Sequence, residues 1–339
     1  MHKPMDKPTG RPESTDSEDA SLNLMSPVPE ERLNLWLQEF FGKEVRIVKR
    51  ALLRHRDLSY VERLEFQDTL PQSLIYKVVL PPWDVEQDLH ERILIPSVSN
   101  SPQLFMAAHH GQATAMFMED LGTDTLIGSG GSAEVAKRIG EELAKMHRSY
   151  SYRTDELLQL NILRSLSPID YETFTAEFCR KLSGWGLLAK GEIEQMERLA
   201  KTLAPPLAGE PISLVHGDLY AENIILRGNR LFIIDWSWFT NLGVPLVDLA
   251  TLSLEHHKNG AFARYRNELI ESYCFESGRS EKDVRATLPY AETLSRLLFL
   301  EWLVERKSRG IEGTTVGPVD NLIRSLVAEL LKRLDGLTA

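Results

Sequence analysis

The stretch SLVHGDLYAENIILRGNRLFIIDW, residues 213–236, holds two short apolar runs, Ile224 to Leu226 and Leu231 to Ile234, around the turn Arg227-Gly228-Asn229-Arg230. Two such runs joined by a glycine-containing turn predict a β-hairpin. Polar residues bracket it. His216-Gly217-Asp218 precedes the first run, Asn223 closes the approach to it, and Asp235 ends the second. A carboxylate, an amide oxygen and a second carboxylate gathered at one end of a hairpin make a hard-oxygen site suited to Mg²⁺, which takes one or two carboxylates plus substrate phosphates. One carboxylate can stay off the metal and orient a nucleophilic hydroxyl. Taken singly, Asp218 and Asp235 read as turn formers and Asn223 as a cap; the three together, between apolar strands, favour the site.

The segments on either side of this hairpin differ in kind. After Gly122 the chain reads as helical, with stretches at 155–166, 170–183, 191–203, 245–257, 262–276, 281–307 and 319–335. Ser132 is placed to cap a helix whose apolar residues Val135, Ile139, Leu143 and Met146 recur at helical spacing. Before Gly122, the runs at 45–53, 60–66, 73–80, 103–108 and 113–118 read as strands of an antiparallel sheet, with a helix at 84–94 between them. A further helix starts at Pro29 and stops at Gly42, with Leu33, Leu35, Trp36, Leu37, Phe40 and Phe41 as a broad apolar stripe. Residues 1–29 are rich in Pro, Ser, Thr and charge and read as a disordered tail. The expected architecture is α+β: a small sheet-containing lobe over 30–120 and a larger helical lobe over 121–339.

With 339 residues the chain can bury a core in each of two lobes. Its net charge of -10 has the wrong sign for a protein that grips a phosphate backbone, so nucleic acid is not expected as a partner. No apolar run reaches the length of a membrane span, and the N-terminal stretch lacks the apolar segment of a secretory signal. Cys179 and Cys274 are too few for a disulfide framework or a zinc site. These features fit a cytoplasmic protein; oligomeric state is not encoded in them.

HGDLYAEN, followed by IIDW and then GVPLVDLA, resembles the catalytic signature of the aminoglycoside phosphotransferase and choline kinase family. The resemblance implies the bilobal fold of protein kinases and transfer of phosphate from Mg·ATP to a hydroxyl of a small molecule. By position, it makes Asp218 the catalytic base, Asn223 and Asp235 the Mg²⁺ ligands, Asp248 a residue of mainly structural role, and His216 a support for the catalytic loop.

Such a fold needs a Lys on a small-lobe strand to steady the nucleotide phosphates, held by a helix Glu. Lys77, in IYKVV, is centred in an apolar strand; Glu91, in HERIL, resembles its family partner, with Glu86 the alternative. The run Met116 to Gly122 resembles the interlobe hinge, so adenine is expected at backbone groups near Glu119 and Leu121. His147, ending the next helix, is expected to be structural. His55-Arg56-Asp57-Leu58 mimics a kinase catalytic loop but precedes Lys77 and reads as part of the nucleotide-covering hairpin. That hairpin holds no glycine between Val45 and Lys77, although backbone amides commonly approach phosphates there; Ser59 and Tyr60 are the candidate substitutes. Gly128 to Ser132 reads as a lead into the capped helix rather than a phosphate loop. The pairs His109-His110 and His256-His257 are expected on the surface. Trp236, Trp238 and Phe239 either line an acceptor pocket or pack the loop, and Glu255 is either an exposed helix residue or a contact for a cationic acceptor. The acceptor pocket itself is expected from the helices at 155–203 and 255–305. The missing glycines motivate the alternative, a pseudokinase-like nucleotide- or ligand-binding protein without turnover.

Overall fold

The computed structural model describes residues 28–338 except 57, 312, 315 and 316. Most of the expected tail, residues 1–27, lies outside the described residues, whereas Val28 already packs against the small-lobe core. Helix α1 (Glu30–Phe41) ends at Gly42, whose φ of 65° sets the left-handed C-terminal turn. Then come β1 (Ile47–Arg56), β2 (Ser59–Phe66) and β3 (Ser73–Val79), followed by α2 (Val85–Asp88), which runs on as a π-helical turn, Leu89–Ile93. A short α3 (Pro96–Ser99) leads to β4 (Leu104–His110) and β5 (Ala113–Glu119). The five strands form one antiparallel sheet in the order β1-β2-β3-β5-β4.

Side chains alternate across a strand, and in β3 this decides where Lys77 goes. Leu74, Tyr76 and Val78 face the core closed by Leu33, Trp36 and Leu37 of α1, leaving Ile75, Lys77 and Val79 on the opposite face, with Met116 and Met118 of β5 beside Ile75 and Val79. Lys77 therefore looks into the space between the lobes.

The second lobe contains α4 (Leu126–Ser129), α5 (Ala133–Ser151), α6 (Thr154–Gln159), β6 (Ser165–Leu166), α7 (Tyr171–Gly184), α8 (Lys190–Leu207) and β7 (Ser213–Val215). The hairpin β8 (Ile224–Arg227) and β9 (Arg230–Ile233) follows, then β10 (Asn241–Gly243), α9 (Leu246–Ser253), α10 (Arg266–Ser277), α11 (Glu281–Ser308) and α12 (Val319–Thr338). Ser132 accepts from the Val135 N–H and caps α5, as its sequence position predicts. Gly140 lets α5 lie directly on α10, because a Cβ there would collide with Leu269 O and Ser272 Oγ. The fold is a bilobal α+β arrangement.

Two predicted helices are shorter than expected. The 155–166 stretch stops at Gln159: Asn161 adopts a left-handed φ of 53°, and Ser165–Leu166 then pairs with β10. The 245–257 stretch ends at Ser253, where the buried Asn259 donates to Thr251 O and Leu254 O, both at 2.9 Å, and supplies the partner a continuing helix would have given. The lobes also exchange residues. Leu89, Ile93 and Leu94 join the core of the helical lobe, while Phe239 and Trp302 of α11 join the small-lobe core.

Candidate active site

β7 delivers the chain into the loop His216-Gly217-Asp218, which a single buried carboxylate holds in shape. Asp248, fully buried in the first turn of α9, accepts from His216 N and Gly217 N at 2.8 Å each and faces His147 Nε2 at 3.3 Å. His147 also meets the Tyr273 hydroxyl at 3.1 Å. His216 Nε2 contacts Ile234 O at 3.0 Å and its ring packs edge-on to the buried Trp236, tying this loop to the segment after β9 that carries Asp235. Asp248, His147 and His216 thus position the loop. Gly217 has a φ of 80° and lies against the Phe239 carbonyl, a place no side chain can occupy.

β8 and β9 pair Ile224 with Ile233, so Asn223 and Asp235 emerge at the same end of the hairpin. Asn223 is buried and donates through Nδ2 to Asp218 O at 2.9 Å, while its Oδ1 is buried without a hydrogen-bond partner. Buried acceptors are seldom left unpaired, and an amide oxygen beside a carboxylate is a fit for a hard cation. Asp235 has a left-handed φ of 65°, costly for a non-glycine residue and held by its surroundings. Lys77 Nζ reaches its Oδ1 at 2.6 Å and Arg54 Nη1 its Oδ2 at 2.7 Å. Burial opposes ionisation, but the charges of Lys77 and Arg54 hold this carboxyl well below the usual range. At Asp218 burial prevails: it pushes the carboxyl up against the pull of Lys258, whose ammonium lies 3.4 Å away.

The expected partner of Lys77 is corrected. Glu86, not Glu91, receives Lys77 Nζ, with Oε1 at 2.8 Å, whereas Glu91 is exposed and accepts from Gln87 Nε2 at 2.9 Å. Burial pushes Glu86 up to about 7 despite the ammonium beside it.

Two cavities meet at Arg54 and Asp235. One, of about 280 Å³, lies between the sheet and the hairpin, with Ile75, Met118, Leu121 and Ile234 among its apolar residues and Lys77, Glu86 and Glu119 among its polar ones. The other, of about 600 Å³, opens beside Asp218 and is floored by one face of α11, Arg296, Phe299, Trp302 and Arg306. The residues 256–258 contribute as expected, but the 155–203 helices do not line it. Arg54, Glu86, Lys258 and Arg296 were not singled out as site residues; only Glu86 carried a signal, as the alternative to Glu91.

The glycine-free hairpin covers the cleft with Leu53, Arg54 and Val61, while Ser59 lines the larger cavity and Tyr60 packs edge-on to His55. His55 and Arg56 end β1, and Arg56 lines the larger cavity; Asp57 lies outside the described residues. Gly130 and Gly131 lead into α5. His109 and His110 are at the outer end of β4, with His109 only 3.3 Å from Thr114 Oγ1. His257 is exposed as expected and His256 half-buried; their rings lie 4.1 Å apart and both line the larger cavity. Trp236 packs the loop, Phe239 lines the cavity, and Glu255 is exposed. Among the described residues no cluster of His, Cys, Asp and Glu could hold a metal by itself, and no helix is long and apolar enough to cross a membrane.

A sequence model of the phosphotransferase enzyme family matches residues 98–285. Protein LicA of Haemophilus influenzae is 39% identical over 67 residues, a stretch that is 20% of this chain and 24% of that protein. The GDP complex of aminoglycoside 2'-phosphotransferase-IIIa superposes with a TM-score of 0.61 at 14% identity, over 92% of this chain and 100% of the other. Spectinomycin phosphotransferase in complex with ADP and spectinomycin superposes with a TM-score of 0.57 at 12% identity, over 92% and 99%. These likenesses are of fold.

Proposed function

Because the chain belongs to the phosphotransferase enzyme family, whose model covers more than half of it, we propose that it transfers the γ-phosphate of ATP to a hydroxyl of a small molecule. The observation that carries this reading is the meeting of two cavities at Asp235, with Lys77 and Glu86 on one side and Asp218 on the other. ATP occupies the smaller cavity, its base against backbone groups near Glu119 and Leu121 and its phosphates towards Lys77. Asn223 Oδ1 and the Asp235 carboxylate are the groups that would hold Mg²⁺, which supplies charge neutralisation of the phosphates when bound. Asp218 orients the acceptor hydroxyl and takes its proton. The acceptor oxygen forms a bond to the γ-phosphorus as the bond from phosphorus to the bridging oxygen breaks, and ADP leaves. Glu86 fixes Lys77, and Asp248 fixes the loop that carries Asp218.

One observation favours the alternative of binding without turnover: Arg54 and Lys77 already occupy both oxygens of Asp235. Thermal shift with ATP or GTP, with and without Mg²⁺, separates the two. Saturation at about 100 times Kd adds roughly 2.7 kcal/mol. A Mg²⁺-enhanced shift lost in Asp235→Asn, together with phosphate transfer abolished in Asp218→Ala but nucleotide binding kept, supports the kinase. Near-normal turnover in Asp218→Ala refutes the role of Asp218, and no shift with any nucleotide refutes the site.

A further inference from the structure

We propose that the acceptor is a hydroxylated compound bearing an anionic group, a carboxylate or a phosphate ester, and not a polyamine or a quaternary ammonium; this deepens the phosphotransfer reading and rests on it. The larger cavity is lined by the cations Arg54, Arg56, Lys258, Arg296 and Arg306, against the acids Asp218, Glu222 and Asp235. The excess of positive charge runs against a chain whose net charge is -10, so it does not follow from composition. Each acid already faces a cation of the same cavity: Asp235 meets Arg54 at 2.7 Å, and Asp218 and Glu222 meet Lys258 at 3.4 and 3.0 Å. A cationic acceptor would have to displace one of these pairs.

Two of the aromatic faces that could hold an ammonium by cation–π attraction are also taken. Lys258 Nζ sits 4.7 Å from the centre of the Tyr220 ring, and the Arg306 guanidinium 5.4 Å from that of Trp302. Trp302 is otherwise packed among Trp83, Trp238 and Phe239, with ring centres 5.3 to 5.9 Å away. Arg296 is the outlier. Its Nε faces the Glu329 carboxylate of α12, 3.4 Å away and outside the cavity lining, at an ion-pair distance that closes no hydrogen bond. A guanidinium in the cavity wall presents a fork of donors that suits a planar or tetrahedral oxyanion. The field at His256 agrees: burial, then the charges of His257, Arg296 and Lys258, lower its pKa to about 4. The lining thus carries more positive than negative charge, and each of its acids is already paired.

The test uses the full chain and a panel of sugars in matched charge states: glucose, glucosamine, gluconate, glucuronate and glucose 6-phosphate, with the corresponding set for other hexoses and pentoses, plus choline and streptomycin. Binding is read as thermal shift in saturating Mg·ADP, and transfer as ADP released from Mg·ATP. The expected result is a response confined to the anionic members, the carboxylate and phosphate arms showing which oxyanion is preferred. Arg296→Gln then raises KM for the best responder about tenfold or more while the Mg·ADP shift stays as in wild type, and Arg296→Lys recovers most of the loss. A cationic or neutral member outperforming its anionic match overturns the inference, as does an unchanged KM in Arg296→Gln or the lack of any anionic response when Mg·ADP binds normally. A chain that fails to bind Mg·ADP overturns the phosphotransfer reading, and the inference with it.

Discussion

Replacing Glu86 by Gln, and separately Glu91 by Gln, distinguishes the ion pair in the structure from the one favoured by sequence. In Glu86→Gln the Lys77 ammonium keeps Asp235 at 2.6 Å and an amide oxygen in place of the carboxylate, but a negative charge is lost from a site almost closed to solvent. Breaking a buried pair outright costs about 3–5 kcal/mol. Here the second carboxylate stays, the substitution is isosteric, and a Glu86 pKa raised to about 7 means that part of the charge is already neutralised near neutral pH. The loss then approaches that of one charge-assisted hydrogen bond, about 2 kcal/mol. Differential scanning fluorimetry should show a fall in Tm of roughly 3 °C. If the same free energy is lost from the positioning of Lys77 on the phosphates, kcat/KM for nucleotide drops roughly 30-fold. Glu91 is exposed and bonded only to Gln87, so Glu91→Gln should stay within about 0.5 kcal/mol in stability and within about twofold in turnover. Equal effects of the two substitutions, or a Glu86→Gln enzyme indistinguishable from wild type, would refute the assignment of Glu86.

Further outcomes follow from the same geometry. Asp248→Asn places an amide NH₂ against two backbone N–H donors that now share a carboxylate, so it should cost about 3 kcal/mol and most of the activity, read together by Tm and initial rate. Gly217→Ala forces a Cβ into the Phe239 carbonyl at a φ of 80° and should destabilise by more than about 2 kcal/mol; a Tm within a degree of wild type would show that the loop has another conformation available. His90, with Nε2 buried and unpaired, has its pKa lowered from 6.5 to about 3 by burial and the Lys77 charge. The unfolded chain takes up that proton below pH 6.5 and the folded chain does not, so this contribution is complete above pH 6.5 and is lost as pH falls towards 3. At pH 5 the loss is about 2 kcal/mol, and His90→Gln should flatten that part of the stability-against-pH curve.

The sequence alone determined the elements whose information is local. The 213–236 hairpin, the cap at Ser132, the α1 stop at Gly42 and the strand carrying Lys77 are read from periodicities and turn residues within about ten positions, and there short-range sterics and burial agree. Asp218, Asn223 and Asp235 were legible because one short hairpin brings them together. The partner of Lys77 was not. Glu86 and Glu91 are five residues apart, about 140° around a helix, so only one can face the strand, and the docking of α2 and its π-helical turn on the helical lobe selects Glu86. Arg54 gives no local sign that it meets Asp235, a residue 181 positions away. The larger cavity is drawn from β1, the start of β2, the 256–258 loop and one face of α11. Its charge balance depends on which side chains pair across those segments, a long-range packing result that tertiary structure decides and linear spacing does not carry.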